Sequence, residues 1–205
     1  GAIRESSLHD QAQAWLGRVL SWDERRYEED RARFLRVYRP IGILPPDQYL
    51  SVVVQVTEGC PWNRCSFCAF YRDRPYRVRP QEEFEAHLRG VRDFFGEAIG
   101  LRRSIFLADA NALAMPQGAL LRRMDAVCEA FPAGRDGPSC EEVYTFLDTF
   151  TSAGKAGVDY RQMADRGLKR VYVGVETGDD RLLKVLNKPG SAAQAVEVVS
   201  AVKAG

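Results

Sequence analysis

Residues 51–68 read SVVVQVTEGCPWNRCSFC, a β-branched run that leads directly into a loop with three cysteines. The run from Ser51 to Val56 is typical of a buried strand in a parallel sheet. In folds built on such sheets, the loops at the carboxyl ends of the strands carry the chemistry. This stretch therefore predicts an α/β fold and locates its functional site.

Comparable runs recur along the chain and alternate with helical patterns. The further predicted strands are residues 104–108, 143–148 and 171–175, and the predicted helices are residues 81–95, 118–131, 159–166, 180–186 and 192–203. This alternation predicts βα units that wind a parallel sheet. A barrel of eight units needs about 250 residues, so the chain from residue 51 supplies about four units. We expect a partial (β/α) barrel of parallel strands, truncated at its carboxyl end.

The chain before this barrel has a different pattern. Apolar side chains at helical spacing between residues 8 and 38, including Trp15, Val19 and Trp22, predict one or two helices. Three prolines between residues 40 and 46 cannot continue a helix and predict a linker. We therefore expect residues 1–46 to form an N-terminal helical segment with a Pro-rich linker, and residues 47–205 to form the barrel core.

Composition narrows the classes of function. The 29 basic and 28 acidic side chains leave a formal net charge of +1, which gives no strong signal for nucleic acid or for a membrane surface. No apolar run approaches the roughly 20 residues that span a bilayer, and the N-terminus lacks the apolar core of a secretory signal. Three of the five cysteines lie within residues 60–68, which favours a metal site in a reducing compartment over disulfides. We predict a cytoplasmic protein.

The cysteine loop, residues 60–68, offers the thiolates of Cys60, Cys65 and Cys68. A four-iron cubane with three cysteine ligands keeps one iron open, and an open iron can bind and activate a substrate. Two other interpretations remain open: Cys65 and Cys68 could form a redox dithiol, or the loop could hold zinc. Zinc would need a fourth ligand, for which the candidates are Cys128, Cys140, His9 and His87.

Two segments resemble a known family. Residues 57–68 resemble the cluster loop of the radical S-adenosylmethionine (radical SAM) superfamily, including an aromatic residue, Phe67, before the last cysteine. Most members have three residues between the first two cysteines, whereas this Cx4Cx2C loop has four and is similar to that of a subset. Residues 171–180, VYVGVETGDD, are similar to the fourth-strand segment of the branch that contains methylthiotransferases and oxygen-independent coproporphyrinogen oxidases.

The resemblance implies an enzyme with two cofactors. A [4Fe-4S] cluster would be held by the three cysteines, and S-adenosylmethionine (SAM) would chelate the open iron through its methionyl amine and carboxylate. One electron would cleave SAM to methionine and a 5′-deoxyadenosyl radical, which takes a hydrogen atom from a substrate that the sequence does not indicate. The alternatives are a zinc-binding structural module and a member that binds cluster or SAM without turnover.

The resemblance also implies contacts to SAM. Glu176 matches a position that accepts hydrogen bonds from the ribose hydroxyls, and Phe67 matches one that packs near the adenine. After its second strand the superfamily carries a Gly-Gly-Glu-Pro-like segment for the methionyl amine, which this chain lacks. Asp109 and Asn111 offer acceptors there, and Asp148 does so after the third strand, although these residue types are also common in turns.

Four arginines follow the cysteine loop, namely Arg72, Arg74, Arg77 and Arg79. A charge run is usually a solvated face. The alternative is a basic patch that docks an acidic one-electron donor, such as a flavodoxin or ferredoxin, or a phosphate-bearing substrate. These arginines are our candidate surface for the electron donor.

Overall fold

The computed structural model describes residues 2–133, 137–152 and 154–205, with the backbone alone for residues 2–7. The chain divides into two compact units between Tyr38 and Arg39, so the Pro-rich stretch groups with the second unit. The first unit consists of helices α1 (Ala2–Leu20) and α2 (Glu24–Val37). The second unit contains the sheet, the cysteine loop and every predicted site residue.

The sheet of the second unit has four parallel strands. The strands of the described chain are β1 (Ser51–Gln55), β2 (Thr57–Glu58), β3 (Arg77–Val78), β4 (Ser104–Ala108), β5 (Val143–Asp148) and β6 (Leu168–Gly174). The parallel sheet has the spatial order β1-β4-β5-β6, whereas β2 and β3 form a separate antiparallel pair. Every residue of β1 and β4 is buried, as expected for strands with both faces covered.

Helices follow the strands of the parallel sheet. Those of the second unit are α3 (Gln81–Phe95), α4 (Gln117–Ala130), α5 (Gly157–Ala164), α6 (Asp180–Val185) and α7 (Ala192–Ala204). In α3, for example, Phe84, Leu88 and Val91 are buried at the spacing of one helix face. The α/β prediction is confirmed, and the second unit is a partial (β/α) barrel. Within the described residues, no helix combines the length and the apolar character that crossing a membrane requires.

The predicted bounds of the parallel strands and of the helices in the second unit agree with the observed ones to within two residues, except at the start of β6. β4 and β5 have the predicted bounds, but β6 starts at Leu168 instead of residue 171. Its first residues continue the pairing with β5 although Lys169 and Arg170 are charged. Both side chains are exposed, because β6 lies at the edge of the sheet and its outer positions meet solvent.

The strand register brings the ends of all four parallel strands to one edge of the sheet. Gln55 lies beside Ala108, and Asp148 lies beside Gly174. Because the strands are parallel, these are all carboxyl ends, and the loops that follow them meet there. The cysteine loop therefore shares this edge with the segments that contain Asp109 and Glu176.

Candidate active site at the carboxyl ends of the strands

The cysteine loop folds back on itself between its first two cysteines. Asn63 lies in the left-handed region with φ of 52°, a conformation that asparagine tolerates better than most residues. Its backbone N–H donates to Cys60 Sγ at 3.3 Å, and its side-chain amide donates to the carbonyl of Tyr71 at 2.7 Å. The four-residue spacer between Cys60 and Cys65 is thus held by its own asparagine.

The three thiols of the loop are half-buried. Burial raises the pKa of the Cys60 thiol, and it also raises the pKa of the Cys65 thiol, which Lys188 partly opposes. Negative charge on the neighbouring cysteine sulfurs raises the pKa of both thiols further. Cluster ligation therefore has to displace protons from Cys60 and Cys65 at neutral pH.

The donor set fits a cluster. Among the side chains described, from residue 8 to the end except 134–136 and 153, no three His, Cys, Asp or Glu residues are arranged to hold a single metal ion. A cubane makes a different demand, because each cysteine binds a different iron and the sulfurs need not converge on one point. Three half-buried thiols on one loop suit three irons and leave the fourth iron for another ligand.

Glu176 lies two residues beyond β6 and points its carboxylate at a lysine. Lys188 Nζ donates to Glu176 Oε1 at 2.6 Å, and the two side chains are 6% and 32% exposed, respectively. Gly174 leaves room for this pair, since a Cβ there would lie 3.0 Å from Glu176 Oε1 and 3.2 Å from Lys188 Nζ. The other carboxylate oxygen, Oε2, has no hydrogen bond from the residues that the structure describes.

Asp109 follows β4 and is buried beside the start of the cysteine loop. Its Oδ2 accepts a hydrogen bond from the N–H of Gly59 at 3.0 Å and lies 3.3 Å from Arg74 Nε. Within the described chain its Oδ1 is buried without a hydrogen-bond partner. Burial raises the pKa of Asp109, against the effect of Gly59 and Arg74. Asp109 thus fastens the loop to β4 and keeps one acceptor oxygen free.

Asn111 and Asp148 use their side chains in turns. The Oδ1 of Asn111 accepts the N–H of Leu113 at 3.0 Å, and its Nδ2 donates to Thr151 Oγ1 at 2.8 Å. The Oδ1 of Asp148 accepts the N–H groups of Phe150 and Thr151 at 3.0 and 2.7 Å. The bond from Asn111 to Thr151 joins the loops after β4 and β5, and a direct contact from Asn111 or Asp148 to SAM stays a prediction.

Phe67 and the arginines differ in their accessibility. The side chain of Phe67 is largely exposed between two cysteines, so it is open to a ligand, and its packing against adenine stays a prediction. Arg72 is exposed, whereas the side chains of Arg74 and Arg79 are only 8% and 9% exposed. The four arginines therefore do not form one solvent-facing patch.

Three of the four arginines form ion pairs with acidic side chains. Arg79 lies 3.0 Å from Glu58, and Arg77 lies 2.7 Å from Glu58 and 2.6 Å from Glu83. Arg74 pairs with Asp109. Only Arg72 and the partly exposed Arg77 remain for a docking surface, and the electron donor itself stays a prediction.

Sequence reasoning missed the residues that contact the loop from the far end of the chain. Trp62, Arg64 and Ser66 all bond to the turn that follows α6, and Lys188 lies near Cys65. The helix stop from Asn187 to Gly190 is visible in the sequence as Asn-Lys-Pro-Gly. That pattern predicts the end of a helix, but it gives no indication of the partner on which the end packs.

Comparisons with known proteins agree with this geometry. The model of the Radical SAM superfamily matches residues 54–205. A curated relative, the 4′-phospho-dehydrooxetanocin synthase of Priestia megaterium, is 24% identical in an alignment of 164 residues that covers 74% of this chain and 22% of the relative.

Solved structures of one enzyme share the fold. The cobalamin-dependent SAM radical enzyme OxsB with aqua-cobalamin and SAM bound has a TM-score of 0.54 at 20% identity, over 74% of this chain and 22% of that chain. The same enzyme with aqua-cobalamin alone gives a TM-score of 0.53 over 73% and 22% of the two chains. The chain thus spans about a fifth of the length of the relatives it matches.

Proposed function

The chain belongs to the radical SAM superfamily, and from this membership we propose that it is an enzyme core that binds a [4Fe-4S] cluster through Cys60, Cys65 and Cys68 and cleaves SAM reductively. One observation carries the proposal: three half-buried thiols lie on one loop at the carboxyl edge of the sheet. Acidic side chains follow the neighbouring strands at the same edge. A cluster, its open iron and a zwitterionic cosubstrate would find their ligands in this one region.

The cofactors, when bound, supply a 5′-deoxyadenosyl radical, and the chain's own residues hold and orient them. The three thiolates fix the cluster at the end of β1. The half-buried loop limits contact between the thiolates and water, which would otherwise compete for the metal. The loop itself would thus determine where the cluster lies.

Glu176 is the proposed acceptor for the ribose hydroxyls. Its carboxylate is partly exposed, and Lys188 holds Oε1 at 2.6 Å while Oε2 has no bond from the described residues. The buried ammonium thus orients the carboxylate and keeps one oxygen available for a hydroxyl donor. The side chain of Phe67, which is largely exposed in the loop, offers an apolar surface for the adenine.

The methionyl ammonium is proposed to meet acceptors beyond β4 and β5. Asp109 has an unpartnered oxygen, Oδ1, and is the first choice. The side-chain oxygens of Asn111 and Asp148 already accept turn hydrogen bonds, which makes their contacts weaker alternatives. This order, Asp109 before Asn111 and Asp148, is testable by substitution.

The test of this function is anaerobic reconstitution followed by addition of SAM. We expect SAM to change the electron paramagnetic resonance (EPR) signal of the reduced cluster, because it replaces another ligand of the open iron. We also expect reduction in the presence of SAM to release 5′-deoxyadenosine. The matched control is Cys128→Ala, which removes a thiol outside the loop.

Two results would support other functions. Protein that retains zinc and takes up neither iron nor sulfide would be a zinc-binding module. Protein that holds the cluster and responds to SAM but releases no 5′-deoxyadenosine would be a member without turnover.

A further inference from the structure

The cysteine loop rests on a turn more than a hundred residues away in sequence. We call residues 185–188, which close α6, the α6 turn. Trp62 Nε1 donates to the carbonyl of Asn187 at 2.7 Å, and the N–H of Ser66 donates to the carbonyl of Leu186 at 2.9 Å. In return, Asn187 Nδ2 donates to the carbonyl of Arg64 at 2.8 Å. With a longer bond from Ser66 Oγ to the carbonyl of Val185 at 3.5 Å, four hydrogen bonds join two segments that are distant in the chain.

The α6 turn is a firm support because the N–H groups of residues 186–188 are bonded to carbonyls of α6. The N–H of Asn187 donates to the carbonyl of Lys184 at 3.0 Å, and the N–H of Lys188 donates to that of Leu183 at 2.9 Å. Asn187 has a φ of 51°, the left-handed conformation that commonly ends a helix and that asparagine accepts. This conformation closes the turn and leaves the side chain of Asn187 free to bond the loop.

The hydrogen bonds from the α6 turn reach residues on both sides of Cys65. Trp62 and Arg64 belong to the spacer before Cys65, and Ser66 follows Cys65 directly. Lys188, the last residue of the turn, is buried near Cys65 and holds Glu176. The α6 turn thus bonds residues on both sides of Cys65, and the carbonyl of Cys65 itself accepts hydrogen bonds from Arg72 and from the N–H of Cys68.

We propose that the α6 turn positions the cysteine loop and that Asn187 and Trp62 are its positioning residues. The proposal rests on the proposed function, because the turn would hold Cys65 in place for the cluster. The contact between the α6 turn and the cysteine loop belongs to the metal-free chain and can be tested there. Asn187, which lies in the α6 turn and is not a cluster ligand, would then control how firmly the cluster is retained.

Two variants each remove one hydrogen-bond donor of this contact. Asn187→Asp is isosteric and tolerates the left-handed backbone, but it has no donor for the Arg64 carbonyl. Trp62→Phe keeps an aromatic ring beside Phe150 and loses the donor to the Asn187 carbonyl. The matched control is Lys184→Gln, which changes the charge by the same amount as Asn187→Asp at an exposed position of α6.

The first measurement is hydrogen exchange of the metal-free chain. We expect the amide of Ser66 to exchange roughly three- to tenfold faster in Asn187→Asp and in Trp62→Phe than in the wild type, since each variant loses one hydrogen bond of the contact. Amides of β4, such as that of Leu107, should keep their rates. Equal acceleration in β4 would indicate global destabilisation and would contradict a local positioning role, as would an unchanged rate at Ser66.

The second measurement is loss of iron from the reconstituted chain to an excess of chelator. Both variants should release iron roughly three- to tenfold faster than the wild type, and Lys184→Gln should match the wild type. Wild-type rates in both variants would overturn the proposal. A wild-type chain that takes up no iron would instead remove the proposed function, and hydrogen exchange would still decide whether the turn holds the loop.

Discussion

At the scale of single residues, the orientation of the Glu176 carboxylate depends on one neighbour, Lys188. Its carboxylate is fixed at one oxygen by the buried ammonium of Lys188 and is open at the other. A charge-assisted hydrogen bond to a ligand hydroxyl would therefore meet an acceptor that is already oriented. This arrangement is what a contact to ribose requires.

Glu176→Ala should weaken SAM binding by about 1.5 to 3 kcal/mol, the range for a hydrogen bond to a charged group. The measurement is titration of the reconstituted protein with SAM, followed by calorimetry or EPR. Glu197→Ala, which removes the same charge from an exposed position of α7, should leave the affinity unchanged. If Glu176→Ala binds SAM with wild-type affinity, the carboxylate has a structural role with Lys188 and no role at the ligand.

At the scale of elements, the β2–β3 pair contains a buried ion cluster. Glu58 in β2 is surrounded by arginines, and its side chain and that of Arg79 are 8% and 9% exposed. Removal of one partner from a buried pair leaves an uncompensated charge, which costs far more than loss of a surface pair. The two glutamates of the cluster should therefore differ in their effect on stability.

Glu58→Gln should lower the free energy of unfolding by about 3 kcal/mol, because Arg79 stays buried with weaker compensation. The matched control is Glu83→Gln, because the side chain of Glu83 also bonds Arg77 but is 38% exposed. Glu83→Gln should lower the free energy of unfolding by less than about 1 kcal/mol. Urea denaturation of the metal-free chain at neutral pH measures both values. Equal losses would mean that burial does not govern this cluster.

The same cluster should make stability depend on pH. Burial would raise the pKa of Glu58, but Arg77 and Arg79 outweigh it and hold the pKa below its usual value of 4.5. A lowered carboxyl pKa stabilises the fold above the unfolded pKa, and this stabilisation is lost as the pH falls through the folded pKa. The stability difference between the wild type and Glu58→Gln should therefore shrink below about pH 4.5. Denaturation at a series of pH values checks this, and a constant difference would contradict it.

The elements show which features a sequence can predict. Parallel strands in a core leave short runs rich in β-branched, aromatic and other apolar residues, so β1, β4 and β5 were predictable. The short pair of β2 and β3 leaves no such run, because each strand has two residues and at least one charge. The arginines after the loop look solvated as a local run. Their burial depends on Glu58 and Asp109, whose proximity only the folded chain provides.

The site shows the same limit. The position of the cysteine loop and of Glu176 at the carboxyl edge of the sheet could be predicted, because each follows a strand that the sequence indicates. The contact of the loop with Asn187 could not, since its hydrogen bonds join backbone carbonyls that carry no sequence signal. Tertiary contacts of this kind are specified by packing and not by residue type.

At the scale of the whole molecule, electron delivery should depend on Arg72, an exposed arginine that bonds the cysteine loop. Arg72 is exposed and donates to the carbonyl of Cys65 at 3.2 Å. Arg72→Glu should slow reduction by a flavodoxin at low salt, because complementary charge mainly raises the rate of encounter. The effect should fade as ionic strength rises, since the Debye length is about 10 Å at 0.1 M salt. Stopped-flow measurement of cluster reduction tests this.

Two controls separate docking from damage to the loop. Reduction of Arg72→Glu by dithionite, a small anion that needs no docking surface, should stay close to the wild-type rate. Lys203→Glu, the same charge change at an exposed position of α7, should not slow the flavodoxin. Equal slowing by both reductants would indicate a disturbed loop, and no slowing by either would exclude Arg72 from the docking surface.

The most direct test of the central claim is the iron and sulfide content of anaerobically reconstituted single-cysteine variants. The wild type should hold about four irons and four sulfides per chain, and alanine at Cys60, Cys65 or Cys68 should abolish the cluster. Cys128→Ala and Cys140→Ala should retain the wild-type content, because both thiols lie outside the loop. Full iron and sulfide in any one of the three loop variants would contradict the assignment of the cluster to this loop.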